Sequence, residues 1–462
     1  MTLIKSISGI RGTIGGQAGE NLTAQDIVSC TAAFAAWMQK KGHAPLVVVG
    51  RDGRISGEMV SQLVIQTLRS MGISVVDLGL TTTPTVEIAV PEEGAGAGII
   101  VTASHNPQQW NALKFLNNLG EFISAKDGEE FLALLNEPGA ITYADVLDLG
   151  SYRKDGSYLE KHIGKILALP LVAVEAIRAK NFKIVVDGIN SSGGFAVPAL
   201  LESLGCETIV LNGEPNGHFA HNPEPLPEHL EDLSNAVRKH RADLGIAVDP
   251  DVDRLAFVCE DGELFGEEYT LVAVADYVLK HQPGNTVSNL SSTRALSDVT
   301  EGYGGTYFAS AVGEVNVVTR MKEVNAVIGG EGNGGVIYPG LHYGRDALAG
   351  IAFFLSLLAG NGLRASVLKS RYPSYTICKN KIDLRPGIDI DRLLLDLKER
   401  YRMHKINMED GLKIDLDNGW IHLRKSNTEP IIRIYTESHS QVIAEHLAAK
   451  VKTDVNDILK GV

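Results

Sequence analysis

Asp249-Pro250-Asp251-Val252-Asp253-Arg254 sets three carboxylates at alternate positions. In extended backbone they share one side, and in a tight loop their oxygens can converge on one ion. Three anionic oxygens suit a hard cation. Mg²⁺ fits, because it takes few carboxylates and fills its remaining positions with water or phosphate oxygen. The bland alternative is an acidic solvated turn. The loop, however, follows the apolar run Leu244 to Val248, which reads as a buried strand.

Thr102-Ala103-Ser104-His105-Asn106-Pro107 also follows a small and apolar run, Ala95 to Val101. A strand entering Ser-His-Asn-Pro places a hydroxyl on a tight turn at the strand's carboxyl end, where open α/β sheets bind their ligands. Asn-Pro favours a turn, and the residue before proline is pushed toward extended geometry. A surface turn is the competing reading. In Gly329-Gly330-Glu331-Gly332-Asn333-Gly334-Gly335 the glycines permit close backbone approach to a ligand, and Glu331 is the loop's charged group. Arg424-Lys425-Ser426-Asn427-Thr428-Glu429-Pro430, with Arg433 beyond it, joins guanidinium groups, hydroxyls and loop N–H groups into a set able to hold a phosphate. Arg11, Arg54, Lys114 and His105 are further candidates, each as readily solvated or structural. Trp37, Trp110 and Trp420 read as packing residues, with Trp110 close to the serine loop.

The elements that carry these loops repeat. One copy runs from the strand Leu46 to Val49 through an amphipathic helix ending near Met71-Gly72 to the strand Ile73 to Leu78, and closes on the strand before Ser104. A second has the strand Lys183 to Asp187, a helix with Leu200, Leu201 and Leu204, and Thr208 to Val210. It closes on Leu244 to Val248, running into Asp249. The third has Thr286 to Asn289, a helix from Ser292, and Gly305 to Phe308, closing on Ala326 to Ile328 before the glycine loop. This alternation predicts a mixed, mostly parallel α/β sheet in each copy. The three closing loops differ in chemistry, as expected if they face one composite site.

From about Arg371 the pattern changes. Asp415 to Arg424 alternates around Asn418-Gly419, a hairpin signal. Pro430 to Thr436 reads as another strand, and Ile443, Leu447, Val451 and Val455 mark a helix. The reading is three related α/β domains, 1–150, 151–255 and 256–367, followed by an α+β domain with an antiparallel sheet, 368–462.

Length and composition agree with several domains: 462 residues, 44% hydrophobic and 21% charged. A net charge of −13 argues against a nucleic-acid backbone binder. The dispersed Cys30, Cys206, Cys259 and Cys378 show no metal-type pairing and fit reduced thiols. The longest apolar stretch, Ala347 to Gly360, is shorter than the ~20 residues a bilayer requires. With no hydrophobic leader at the N-terminus, a cytoplasmic protein without membrane partners is expected.

The four loops, in this order and over nearly the whole chain, resemble those of the α-D-phosphohexomutase family. That family carries a T-x-S-H-N-P phosphoserine loop, a D-x-D-x-D-R metal loop, a G-E sugar loop and an R-x-S-G-T-E-P phosphate loop. The resemblance implies four domains around a central cleft. It also implies a phosphoryl group on Ser104, Mg²⁺ held by Ser104 with Asp249, Asp251 and Asp253, and substrate contacts from Arg254, Glu331, Asn333, Arg424, Ser426, Asn427, Thr428 and Arg433. The expected reaction interconverts hexose 6-phosphate and 1-phosphate through a 1,6-bisphosphate, which is also a possible activator. Arg11 and Lys114 would stabilise the transferring charge, and Lys114 or His105 would handle the hydroxyl proton.

The departures are local. Asn333 stands where the sugar loop usually has serine, and Gly335 where it has histidine. Asn427 and Ala112 replace glycines, and only Gly9-Ile10-Arg11-Gly12 remains of the opening motif. Val312-Gly313-Glu314 lacks the basic residue that usually follows. The glycine-rich sugar loop resembles that of phosphoglucosamine mutases, with phosphomannomutase/phosphoglucomutase as the alternative. A metal-dependent sugar phosphatase, or a non-catalytic sugar-phosphate binder, would be a different class.

Overall fold

The structure is a computed structural model that describes residues 2–6, 9–137, 139–384, 388–425 and 431–460. Its sheets follow from runs in which neighbouring residues point to opposite faces. In the first sheet Val47, Val49, Ile99 and Val101 face one side, where Phe34 and Leu68 from the helices Ala24–Lys40 and Gly57–Ser70 cover them. Val48, Val76 and Ile100 face the other side, against Val86 and Val90 of the helix Thr83–Glu92. Strands apolar on both faces are what helices on both faces require.

The sequence repeat is a repeat of topology. In the first sheet the strands Ser74–Leu80, Leu46–Arg51, Ala97–Val101 and Trp110–Leu116 lie in that order, the last antiparallel to its neighbour. The second sheet has Glu207–Leu211, Lys183–Asp187, Leu244–Val248 and Leu255–Cys259, again with the last antiparallel. The third has Tyr307–Ser310, Asn285–Asn289, Ala326–Glu331 and Gly335–Ile337, likewise. Each unit thus folds in the strand order 2-1-3-4, and the turn between its third and fourth strands is one of the polar loops. The first sheet gains Gly9–Thr13 and Ile4–Ser6 at one edge and Tyr152–Lys154 at the other.

Two divisions expected from sequence cut through sheets. Tyr152–Lys154 pairs with Ser74–Leu80, so the first sheet runs past residue 150. Leu255–Cys259 pairs with Leu244–Val248, so the second runs past residue 255. The second and third units share one continuous core, threaded by the helix Ala347–Asn361. That helix is buried almost all round, which explains the apolar stretch seen in sequence. Among the described residues no helix is long and apolar enough to cross a membrane.

The fourth unit is an antiparallel sheet in the order Thr376–Asp383, Ile431–Ser438, Gly419–Lys425, Leu412–Leu416, Lys405–Asn407, covered by the helices Ile390–Arg400 and Gln441–Lys460. The hairpin turn is Asp417-Asn418, one residue earlier than expected, with Gly419 opening the next strand opposite Leu416. Trp37 and Trp420 are buried, as their packing role required, whereas Trp110 reaches a large cavity.

Candidate active site

The polar loops meet. Ser104 sits past the strand Ala97–Val101 in left-handed backbone, φ 48°, and its Oγ donates to Asp249 Oδ2 at 2.6 Å. Its turn is held by Arg54, which is 2% exposed. The Arg54 guanidinium donates to the carbonyls of Ser104, Asn106, Pro107 and Trp110 and is itself fixed by Asp52 at 3.1 Å. Arg54, a lone basic residue in sequence, is therefore the support of the serine loop.

Asp249, Asp251 and Asp253 are buried, and each offers an oxygen within 4.8 Å of the others'. Asp249 Oδ1 accepts from the backbone N–H groups of Asp253 and Arg254, which closes the loop on itself. Asp251 Oδ2 accepts from Thr83 Oγ1 at 2.6 Å and Lys114 Nζ at 2.9 Å. Asp253 Oδ2 accepts from Arg345 Nη2 at 2.6 Å. Asp251 Oδ1 and Asp253 Oδ1 are buried without a hydrogen bond. Buried anionic oxygens are costly without a partner. With Asp249, these two oxygens form the all-oxygen donor set of a hard divalent cation. The donor set fits Mg²⁺.

Electrostatics separates the candidate proton carriers. Burial works against the Lys114 cation, but Asp251 and Asp253 outweigh it and hold the ammonium above its ordinary range. Burial, reinforced by Arg254, Arg345 and Lys114, lowers the His105 imidazole to about 2, so His105 is neutral. Burial and the neighbouring Asp253 and Asp251 raise Asp249, the carboxylate that meets the serine hydroxyl.

A cavity of about 800 Å³ is lined by His105, Arg254, Glu331 and Asn333 among other residues. Arg11, Arg424 and Arg433 line it too. Arg424 and Arg433 are direct partners across adjacent strands. Like charges placed so are destabilising unless an anion joins them. Asp410 Oδ2 holds Arg424 Nε at 2.7 Å and also accepts the Val312 N–H, tying the fourth unit to the third. Burial, then Arg433, lowers Arg11, whose Nε has no hydrogen bond. Ser426, Asn427 and Thr428 lie outside the described residues.

Glu331 is less free than its loop suggested. Its Oε1 accepts from Asn289 Nδ2 and the Gly313 N–H, and its Oε2 from Arg345 Nη1 at 3.0 Å. Burial opposes its charge, but Arg345 and these donors keep it ionised. Asn333 Oδ1 accepts the Gly335 N–H. A Cβ on Gly332 would fall 2.1 Å from the Glu268 carboxylate, so glycine alone lets this loop pass beside Glu268 at the cavity wall.

Sequence reasoning missed Arg345. Its guanidinium joins Asp253, Glu331 and Glu314, and thereby the metal loop to the sugar loop. It also supplies positive charge beside Glu314, in the segment that lacks its usual basic residue. Its sequence signal is slight: Gly344-Arg345-Asp346 echoes Gly50-Arg51-Asp52.

Three like α/β units and an antiparallel fourth, all contributing to one cavity, form the architecture of a phosphohexomutase. The chain belongs to the phosphoglucomutase/phosphomannomutase family. The alpha/beta/alpha domains I, II and III of that family match residues 3–138, 160–262 and 266–375, and its C-terminal domain matches 389–453. A probable phosphoglucosamine mutase of Methanopyrus kandleri is 34% identical, with 95% of each chain covered. A phosphoglucomutase/phosphomannomutase of Thermococcus kodakarensis is 35% identical, over 97% of this chain and 99% of the relative. A phosphoglucomutase/phosphomannomutase family protein of Burkholderia thailandensis superposes with a TM-score of 0.84 at 26% identity, covering 100% of this chain and 98% of the other.

Proposed function

We propose that the protein interconverts hexose 6-phosphate and hexose 1-phosphate, with glucosamine phosphate the preferred sugar. One observation carries the reading. His105 and Asn106, next to Ser104, and Arg254, next to the aspartate triplet that Ser104 contacts, line the same cavity as Arg11, Arg424 and Arg433, an arrangement that supports holding two phosphates of one sugar at once. Phosphate-monoester cleavage is among the slowest uncatalysed reactions, and accelerations reach about 10²¹-fold. Positioning and charge neutralisation must supply most of that.

In this reading Ser104 bears a phosphoryl group. A sugar hydroxyl attacks its phosphorus, the P–Oγ bond breaks, and the sugar becomes a 1,6-bisphosphate. The bisphosphate turns end for end. Ser104 Oγ then attacks the opposite phosphate and recovers the phosphoryl group, leaving the isomeric monophosphate. Asp249, Asp251 and Asp253 would hold Mg²⁺, which when bound neutralises charge on the phosphoryl oxygens. Lys114, kept protonated, adds fixed positive charge. The hydroxyl proton would be handled by His105, whose Nδ1 lies 3.5 Å from Ser104 Oγ, or by Lys114. Arg11, Arg424 and Arg433, with Ser426, Asn427 and Thr428, grip the phosphate that is not reacting. Arg254, Glu331 and Asn333 line the path of the ring. A hexose 1,6-bisphosphate would serve as activator by phosphorylating Ser104.

The choice of sugar rests on the glycine-rich loop with Asn333 and Gly335, and is supported by relatives named phosphoglucosamine mutase. Competition of glucosamine-, glucose- and mannose-6-phosphate for one enzyme sample, compared as kcat/KM, tests it. Isomer formation without stoichiometric release of inorganic phosphate separates a mutase from a phosphatase. Sustained phosphate release would overturn the reading.

A further inference from the structure

Behind the aspartate triplet lies a second polar cluster that the reaction does not use. His162, from the helix Tyr158–Leu167, and His342, from the segment after Gly335–Ile337, point Nε2 at one atom, Asp346 Oδ2, at 2.8 and 3.2 Å. Both remote ring nitrogens face outer oxygens. His162 Nδ1 lies 3.0 Å from Thr85 Oγ1, and His342 Nδ1 lies 3.3 Å from Glu87 Oε2. Asp346 Oδ1 is taken up by the Leu348 and Ala349 N–H groups as the cap of the helix Ala347–Asn361.

Two features mark this as more than a packed ion pair. Glu87 is 1% exposed, neither of its carboxylate oxygens makes a hydrogen bond, and its Oε2 faces His342 Nδ1. A Cβ on Gly344 would lie 1.9 Å from Glu87 Oε2, so a glycine makes the space that the carboxylate occupies. The three candidate ligand atoms lie within 4.8 Å of one another, a spread that a small ion can gather. Ligands about 2.0–2.1 Å from a tetrahedral ion stand about 3.3 Å apart. Metal-bound imidazoles characteristically give their other N–H to a carboxylate or hydroxyl oxygen, the disposition of Glu87 and Thr85.

We infer that His162 Nε2, His342 Nε2 and Asp346 Oδ2 bind a borderline divalent transition ion of the Zn²⁺ class, with Glu87 and Thr85 orienting the imidazoles. Nitrogen donors distinguish this site from the all-oxygen triplet, which favours Mg²⁺. The His342 side chain is 10% exposed, so the cluster reaches the solvent there. The ion would pin the first unit's helix Thr83–Glu92, the second unit's helix Tyr158–Leu167 and the third unit's 342–346 segment to one another. The same helix sends Thr83 to Asp251, and the same segment sends Arg345 to Asp253. The inference does not depend on the reaction proposed.

The test uses the full-length protein, stripped by chelator and then saturated with Mg²⁺. Co²⁺ is added and visible absorption recorded, and the Zn²⁺-loaded protein is measured by K-edge absorption. One equivalent of ion with low-coordinate Co²⁺ bands and two imidazoles around Zn²⁺ is expected. The signal should survive Asp251→Asn and disappear in His342→Asn, and Glu87→Gln should weaken affinity about 10–100-fold. A folded wild type that binds no equivalent beyond Mg²⁺ would overturn the inference, and that result needs no variant. So would a signal that persists in His342→Asn or vanishes with Asp251→Asn.

Discussion

Arg345 and Asp253 meet in a buried ion pair, Nη2 to Oδ2 at 2.6 Å. The same guanidinium reaches Glu331 at 3.0 Å and Glu314 at 2.9 Å, so one cation balances carboxylates from three segments. Removing it leaves buried charge uncompensated. In Arg345→Gln, kcat/KM should fall about 10–100-fold, with more Mg²⁺ needed for half-maximal activity. Steady-state kinetics across a Mg²⁺ series reads both, and an unaltered Mg²⁺ requirement would refute the positioning role.

Ser104→Ala should abolish turnover while the variant still binds sugar monophosphate. Intact mass should show one phosphate on the native protein, removable by phosphatase and missing from the variant. Phosphate found on another residue would assign the phosphoryl carrier elsewhere.

Arg54 satisfies four carbonyls of the serine turn, which lysine cannot do with one compact ammonium. Arg54→Lys should cost about 1–3 kcal/mol of stability for buried carbonyls left without a donor. It should also slow phosphorylation of Ser104. Chemical denaturation and phosphoprotein mass spectrometry measure the two effects.

Arg424→Ala and Arg433→Ala should each weaken binding of both the 1-phosphate and the 6-phosphate by about 10–100-fold, the range for one hydrogen bond to a charged group. Calorimetry with each isomer is the measurement. Loss confined to one isomer would exclude a shared grip. Arg433→Ala also removes the Arg424–Arg433 repulsion while leaving the Arg424–Asp410 pair in place, so its ligand-free sheet should be no less stable than wild type.

His422 joins the fourth unit to the third, its Nδ1 2.9 Å from Ser291 Oγ and its Nε2 2.8 Å from the Asp410 carbonyl. Burial, with help from Lys413 and Arg424, lowers it from 6.5 to about 4. Between those values the folded chain binds fewer protons than the unfolded one, so stability rises with pH. It is complete above about 6.5 and is lost as pH falls toward 4, by up to about 3 kcal/mol. The urea midpoint should fall more steeply over this window in wild type than in His422→Gln. Parallel slopes would exclude His422 as a cause.

Much of this was legible in the chain. The β-strand runs were apolar on both faces, so Leu46 to Val49 or Lys183 to Asp187 announced parallel sheets, and the loops that ended them carried charge where a solvated turn had no need of it. The unread part was set by contacts distant in sequence. Arg345 gains meaning only when the fold brings it to Asp253, 92 positions earlier in the chain. Arg54 gains its role only when the serine turn arrives 50 residues later. Glu331 reads as a free carboxylate until Asn289, Gly313 and Arg345 surround it. The displaced hairpin and the divisions at 150 and 255 have a local cause: a short edge strand such as Tyr152–Lys154 has too little pattern to reveal which sheet it joins.

The positive φ of Ser104 restricts which amino acid can stand there. Threonine offers the same hydroxyl chemistry, but a β-branched side chain in left-handed backbone is a steric outlier. Substitution by the other aliphatic alcohol therefore carries a main-chain cost separate from nucleophilicity, the same cost that Ile189 and Val252 bear at φ 48° and 63°.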